Sequence, residues 1–182
     1  MKPQLIITGV SWSWKSTIMN NLIRAYPDMY GKPIQYTTRK QRSDIELDEY
    51  VFLTHSQFMT KLLNWDFVEY VEYNKELYAI SKYFNKNKCN IFIAEPVWRE
   101  ALKRHFNLSK TPYISTYIMV DKPEIEKRLH QRWMTVNTIE TRLTDFDYFH
   151  SSSWDKIIQW EHKQESIVSS IHKYIQWALY QT

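Results

Sequence analysis

The sequence predicts an α/β protein, with a parallel sheet covered by helices on both faces and interrupted by an inserted, largely β segment. Three observations carry this expectation. Apolar runs of strand length alternate with runs of helical spacing along most of the chain, as in strands joined by crossover helices. Residues 34–83 break that alternation with short β-rich runs and few helices between them. A loop containing Gly, Lys and Ser follows the first strand and opens the first helix.

Taken in order, Leu5 to Val10 is a continuous apolar run, the pattern of a strand buried on both faces. From Ser16 to Tyr26 the apolar Ile18, Leu22 and Ile23 recur at helical spacing, and Pro27 stops the helix. Ile34–Thr38, Tyr50–Leu53 and Phe67–Tyr73 read as the short strands of the insert. Asn90–Glu95 and Tyr113–Val120 are two more strand-like runs, followed by helical patterns over Trp98–Phe106 and Glu124–Arg132. Residues 128–147, rich in Arg, Thr and polar side chains, suit a mobile segment. Ser166–Tyr180 places Ile167, Ile171, Tyr174 and Ile175 on one face of a closing helix that docks on the core.

Composition sets the surroundings. A chain of 182 residues suits one domain of ordinary size with small inserts. A net charge of +4 suits anionic ligands and falls short of a basic nucleic-acid-binding tail. The single Cys89 cannot close an internal disulfide, which points to a reducing compartment. The start carries no signal-like apolar region, and no run is long enough to span a membrane. The expectation is a cytoplasmic protein without membrane or nucleic-acid partners. One figure is abnormal: the chain has 2 glycines, Gly9 and Gly31, and 8 tryptophans. Ordinary usage would give roughly 13 glycines in this length.

The stretch Gly9-Val10-Ser11-Trp12-Ser13-Trp14-Lys15-Ser16-Thr17 has the spacing of the phosphate loop GxxxxGK[ST] in its strand-to-helix context. Such a loop turns backbone N–H groups inward around phosphates at a helix N-terminus. Lys15 would bridge the β- and γ-phosphates of ATP, and the Ser16 hydroxyl would hold Mg²⁺. The second glycine of the pattern is Trp14 in this chain. Read alone, the loop also fits a plain strand-to-helix turn that happens to contain Lys-Ser-Thr.

Further along stand Tyr36-Thr37-Thr38-Arg39-Lys40-Gln41-Arg42, Asp48-Glu49-Tyr50-Val51-Phe52 and Phe67-Val68-Glu69-Tyr70. With the loop, in this order and spacing, they resemble the guanylate kinase family over nearly the whole chain. The resemblance implies a phosphate-loop nucleoside monophosphate kinase that transfers the γ-phosphoryl group of MgATP to GMP. It implies a core over 1–33, 84–127 and 148–182, a nucleoside monophosphate-binding insert over 34–83 and a lid over 128–147. Arg39, Arg42, Tyr50 and Tyr78 match the family's binders of the GMP phosphate, and arginine forks suit phosphate oxygens. Glu69 matches the glutamate that reads guanine, and Glu95 stands where the family usually has Asp. Two carboxylates accept from the N1–H and 2-amino donors of guanine, a pair adenine lacks. Lid residues Arg128 and Arg132, with Arg142 beyond them, match arginines that close over the phosphates and neutralise transition-state charge.

Three kinds of departure stand out. Gln35 replaces a family Ser, and its amide still donates toward guanine O6. Ile80 replaces a Ser or Thr and donates nothing, which leaves a different monophosphate acceptor open. Trp12, Trp14, Trp65, Trp98 and Trp133 all occupy family glycine positions. Glycine and tryptophan are poorly exchangeable in volume and backbone freedom. One codon, UGA, is read as tryptophan in some lineages and as glycine in others, and a misread UGA would produce this pattern. The other account is a guanylate kinase-like binding module whose ATP cradle is lost.

Overall fold

The structure is a computed structural model that describes residues 2–10, 13–41, 50–73, 75–94, 96–130, 156–159 and 164–180. Nine strands and five helices lie among them: β1 Gln4–Thr8, α1 Lys15–Ala25, β2 Tyr30–Gly31, β3 Gln35–Thr37, β4 Val51–Phe52, α2 His55–Leu63, β5 Phe67–Tyr73, β6 Glu76–Ser81, β7 Cys89–Ile93, α3 Pro96–Leu108, β8 Tyr113–Met119, α4 Lys122–His130, β9 Lys156–Gln159 and α5 Gln164–Tyr180.

The core is a five-stranded sheet in the order β2-β7-β1-β8-β9. All its pairings are parallel, with Leu5 opposite both Ile91 and Ile114. β1 is the central strand and is fully buried, as its unbroken apolar run requires. Side-chain alternation along β1 feeds two cores. Leu5 and Ile7 pack with Ile18 and Leu22 of α1, Ile125 and Leu129 of α4, and Ile167, Ile171 and Ile175 of α5. Ile6 faces the other way and packs with Phe92, Leu102 and Phe106 beside α3. The one polar side chain at the head of β1, Gln4, is fully buried and bonded: its Oε1 accepts from Asn90 Nδ2 at 2.9 Å.

A second, four-stranded sheet has the order β4-β3-β6-β5. β5 and β6 form a hairpin, β3 runs antiparallel to β6, and β4 is parallel to β3. One face of this sheet carries Tyr36, Leu77 and Ala79, which pack on Phe58 of α2. The sequence reading contained neither α2 nor β2, β6 and β9. Helix α2 is only nine residues long, yet it is fixed by a capping box. Thr54 Oγ1 accepts from the Gln57 backbone N–H, and Gln57 Oε1 accepts from the Thr54 N–H. β2 and β9 are edge strands of two and four residues, too short for a periodic signal. No described helix is long and apolar enough to cross a membrane.

Candidate active site

The site is built where β1 ends. β7 and β8 flank β1 on opposite sides, so the chain's crossovers part there and leave a crevice at the carboxyl ends of the strands. The described residues of the Gly9–Thr17 stretch lie at that point, and α1 begins at Lys15. The N-cap residue of α1, Trp14, makes no side-chain capping hydrogen bond. Gly9 is fixed by close approach: a Cβ there would stand 2.5 Å from Ser13 Oγ and 3.0 Å from the Ile118 carbonyl oxygen. Lys15 lies across the loop, its Nζ donating to the carbonyl oxygens of Gly9 and Val10, both at 2.8 Å. Ser13 is buried, while Ser16 is exposed and Thr17 half-buried just inside the helix. At the end of β1 the fully buried Thr8 Oγ1 has no hydrogen-bond partner among the described residues. A lysine, hydroxyls and a helix N-terminus at one loop fit a polyphosphate and its metal ion.

Arg128 reaches the same region from α4. Its guanidinium lies over the Trp14 ring, 5.6 Å from the centroid, and its Nε donates to Glu124 Oε1 at 2.8 Å. Glu124 was missed in the sequence reading, although its i,i+4 spacing before Arg128 on one helix is a readable signal. Trp14 holds φ 64° and ψ 19°, a left-handed conformation, and is 40% exposed.

The second cluster lies on the face of the smaller sheet turned away from α2. Gln35, Ile80 and Glu69 form one rung across β3, β6 and β5, and Thr37, Tyr78 and Val71 form the rung two residues on. The period of two puts all six on one face. Beside them the Tyr50 and Tyr78 rings meet edge to face at 6.3 Å. The Arg39 guanidinium sits 5.8 Å from the Tyr50 ring and 5.7 Å from the Phe52 ring. Thr37 Oγ1, which the sequence reading had not singled out, accepts from the Arg39 backbone N–H at 3.2 Å. Glu69 Oε1 accepts from the Tyr70 N–H at 3.0 Å, and Glu69 Oε2 lies 3.8 Å from Arg104 Nη2 of α3. That arginine was also unread, because α3 meets β5 only through tertiary packing. Ile80 is fully buried among Ile6, Phe92 and Leu102, so it joins the two sheets and has no contact with solvent.

The structure therefore gathers Gly9, Ser13, Trp14, Lys15 and Arg128 at the end of β1, and Gln35, Arg39, Tyr50, Glu69 and Tyr78 on or beside one face of the smaller sheet. Ser11, Trp12, Arg42, Glu95, Arg132 and Arg142 lie outside the described residues.

The family model described as guanylate kinase matches residues 1–176. The chain belongs to the guanylate kinase family. It is similar to the guanylate kinase of Sus scrofa, with 28% identity over 134 residues that cover 70% of this chain and 66% of that protein. It is also 24% identical over 188 residues to Protein lin-2 of Caenorhabditis elegans, covering 95% of this chain and 18% of that protein. The match thus spans just under two thirds of the pig enzyme and a small part of the worm protein. Among solved structures, guanylate kinase from Anaplasma phagocytophilum shares the fold with a TM-score of 0.68 at 16% identity, over 96% of this chain and 85% of that one.

Proposed function

We propose that this guanylate kinase family member transfers the γ-phosphoryl group of ATP to GMP or dGMP, giving ADP and the nucleoside diphosphate. The observation that carries this reading is Lys15 laid over the Gly9–Val10 carbonyls at the start of α1. A phosphate oxygen of the monophosphate attacks the γ-phosphorus, and the bond to the bridging β,γ-oxygen breaks, leaving ADP. Lys15 draws the β- and γ-phosphates together. Arg128, Arg132 and Arg142 carry the charge that spreads over the transferring group. Bound Mg²⁺ supplies charge neutralisation between the phosphates, and Ser16 is the residue that would hold it.

Arg39, Arg42, Tyr50 and Tyr78 bind the acceptor phosphate, while Glu69, Glu95 and Gln35 read the base. Glu69 is available for this, because its Arg104 partner stands 3.8 Å away and is 71% exposed, a geometry that holds weakly. Residues 34–83 act as the monophosphate-binding insert and 128–147 as the lid over a cytoplasmic enzyme's core. A coupled assay with MgATP and GMP tests the reading on a chain carrying glycine at 12 and 14. Turnover is expected, and Lys15→Met should lower it about a hundredfold or more. The chain as written should be nearly inactive. A second reading, a binding module without catalysis, is favoured by the Trp14 ring that takes the Arg128 guanidinium. No turnover in the glycine-bearing chain would select it.

A further inference from the structure

We infer that residues 14 and 65 are glycine in the protein as its source makes it, encoded by UGA codons that the source reads as glycine. The observation is conformational. Among the described residues, four non-glycine positions have positive φ: Trp14 at 64°, Trp65 at 56°, Lys75 at 65° and Lys110 at 51°. Neither of the chain's two glycines is among the left-handed positions. Bulky side chains at positive φ are outliers, because the Cβ crowds the backbone. Tryptophan is the bulkiest side chain, and it fills half of these four sites.

Each tryptophan stands where the local geometry asks for glycine. Residue 14 is the second glycine of GxxxxGK[ST] and the N-cap of α1. Residue 65 is the first residue past the cap of α2. Its N–H bonds to the Leu62 carbonyl at 3.0 Å, and the Asp66 N–H bonds to the Lys61 carbonyl at 3.0 Å. This pair of bonds is the Schellman motif, whose left-handed residue is usually glycine. The Trp65 indole is 81% exposed, so little burial offsets the strained backbone. Lys110 occupies the same kind of turn after α3, with its N–H on Asn107 and the Thr111 N–H on Phe106. It shows that the turn tolerates another residue, and it supplies a control.

Trp177 is the contrast. It lies inside α5 and stacks on Tyr174 at 5.8 Å with a 20° interplanar angle, so tryptophan has a packing role there. Glycine in that helix interior would be unfavourable. The consequence at the site is an open loop. With glycine at 14 the Arg128 guanidinium loses its aromatic partner and faces the phosphate cradle, and in this respect the inference rests on the phosphotransfer reading. The φ angles do not depend on that reading.

The test is to sequence the source gene and to identify the residues by peptide mass spectrometry on the protein purified from its own cells. UGA at 14 and 65 with glycine in the peptides is expected, and UGG at 177 with tryptophan. UGG, or tryptophan in the peptides, at either 14 or 65 overturns the inference. In the chain as written, Trp65→Gly should raise the melting temperature more than Lys110→Gly does, and a smaller rise counts against it. Glycine in the peptides together with no GDP formation would sink the kinase reading and leave this one standing.

Discussion

Cys89 opens β7 fully buried, and burial pushes its thiol up to about 12, an effect that Lys2 only partly offsets. The thiolate is the reactive form, so near neutral pH the folded chain holds far less of it than an exposed cysteine would. Alkylation by iodoacetamide should therefore be negligible in the folded protein and fast in urea. Rapid labelling under native conditions would contradict this burial. At the same scale, Trp14 and Trp65 show why a residue's identity is not enough to predict its cost. The left-handed conformation, worth roughly 1–2 kcal/mol for a residue with a Cβ, is set by the loop or turn around it.

Helix α2 shows how an element too short to announce itself is held. Nine residues do not form a stable helix alone. The Thr54–Gln57 capping box satisfies its first turn, the Schellman bonds close its end, and Phe58 anchors it on the smaller sheet. Thr54→Ala should cost about 1 kcal/mol in urea unfolding, and an unchanged midpoint would show that the box is not the anchor. The box stands in the sequence as Thr-x-x-Gln, but the helix has one fully buried residue, Phe58, and so carries little apolar periodicity.

Across the whole molecule, two contacts tie distant parts together. Ile80 of β6 enters the core beside Ile6 and Phe92, joining the smaller sheet to the larger. Ile80→Ala should destabilise by about 2–5 kcal/mol, as for other fully buried large-to-small changes, which a urea titration would measure. The same burial explains how a position expected to touch a base came to be apolar: its side chain serves the core. His172 of α5 stacks on Tyr26 with a centroid distance of 3.8 Å, and its Nδ1 lies 2.9 Å from the Tyr30 hydroxyl. Burial raises the Tyr30 pKa, so its hydroxyl stays protonated beside the imidazole. Desolvation lowers the pKa of His172, and that of His105 falls through desolvation and then the charges of Lys82 and Lys86. The unfolded chain therefore binds these protons more readily. Stability is full above the ordinary histidine value of about 6.5 and falls as pH drops through it toward the folded values. Melting temperature should decline from about pH 7 to about pH 5, and His172→Phe should flatten part of that slope. A slope unchanged by the substitution would remove His172 from the account.

The sequence by itself determined the α/β class, the central strand, the loop at its end and the family, because these rest on local signals: continuous apolar runs, helical spacing and motifs of fixed order. It also exposed the tryptophan anomaly, since Gly9, Lys15 and Ser16 keep the loop's spacing around residue 14. Tertiary structure alone decided the rest. Strand order, the shared face of Gln35, Glu69 and Tyr78, the Arg104–Glu69 approach and the Glu124–Arg128–Trp14 arrangement depend on packing between segments far apart in the chain. So does the backbone sign at 14 and 65, because a turn's φ is set by the hydrogen bonds it must close, whatever side chain it carries.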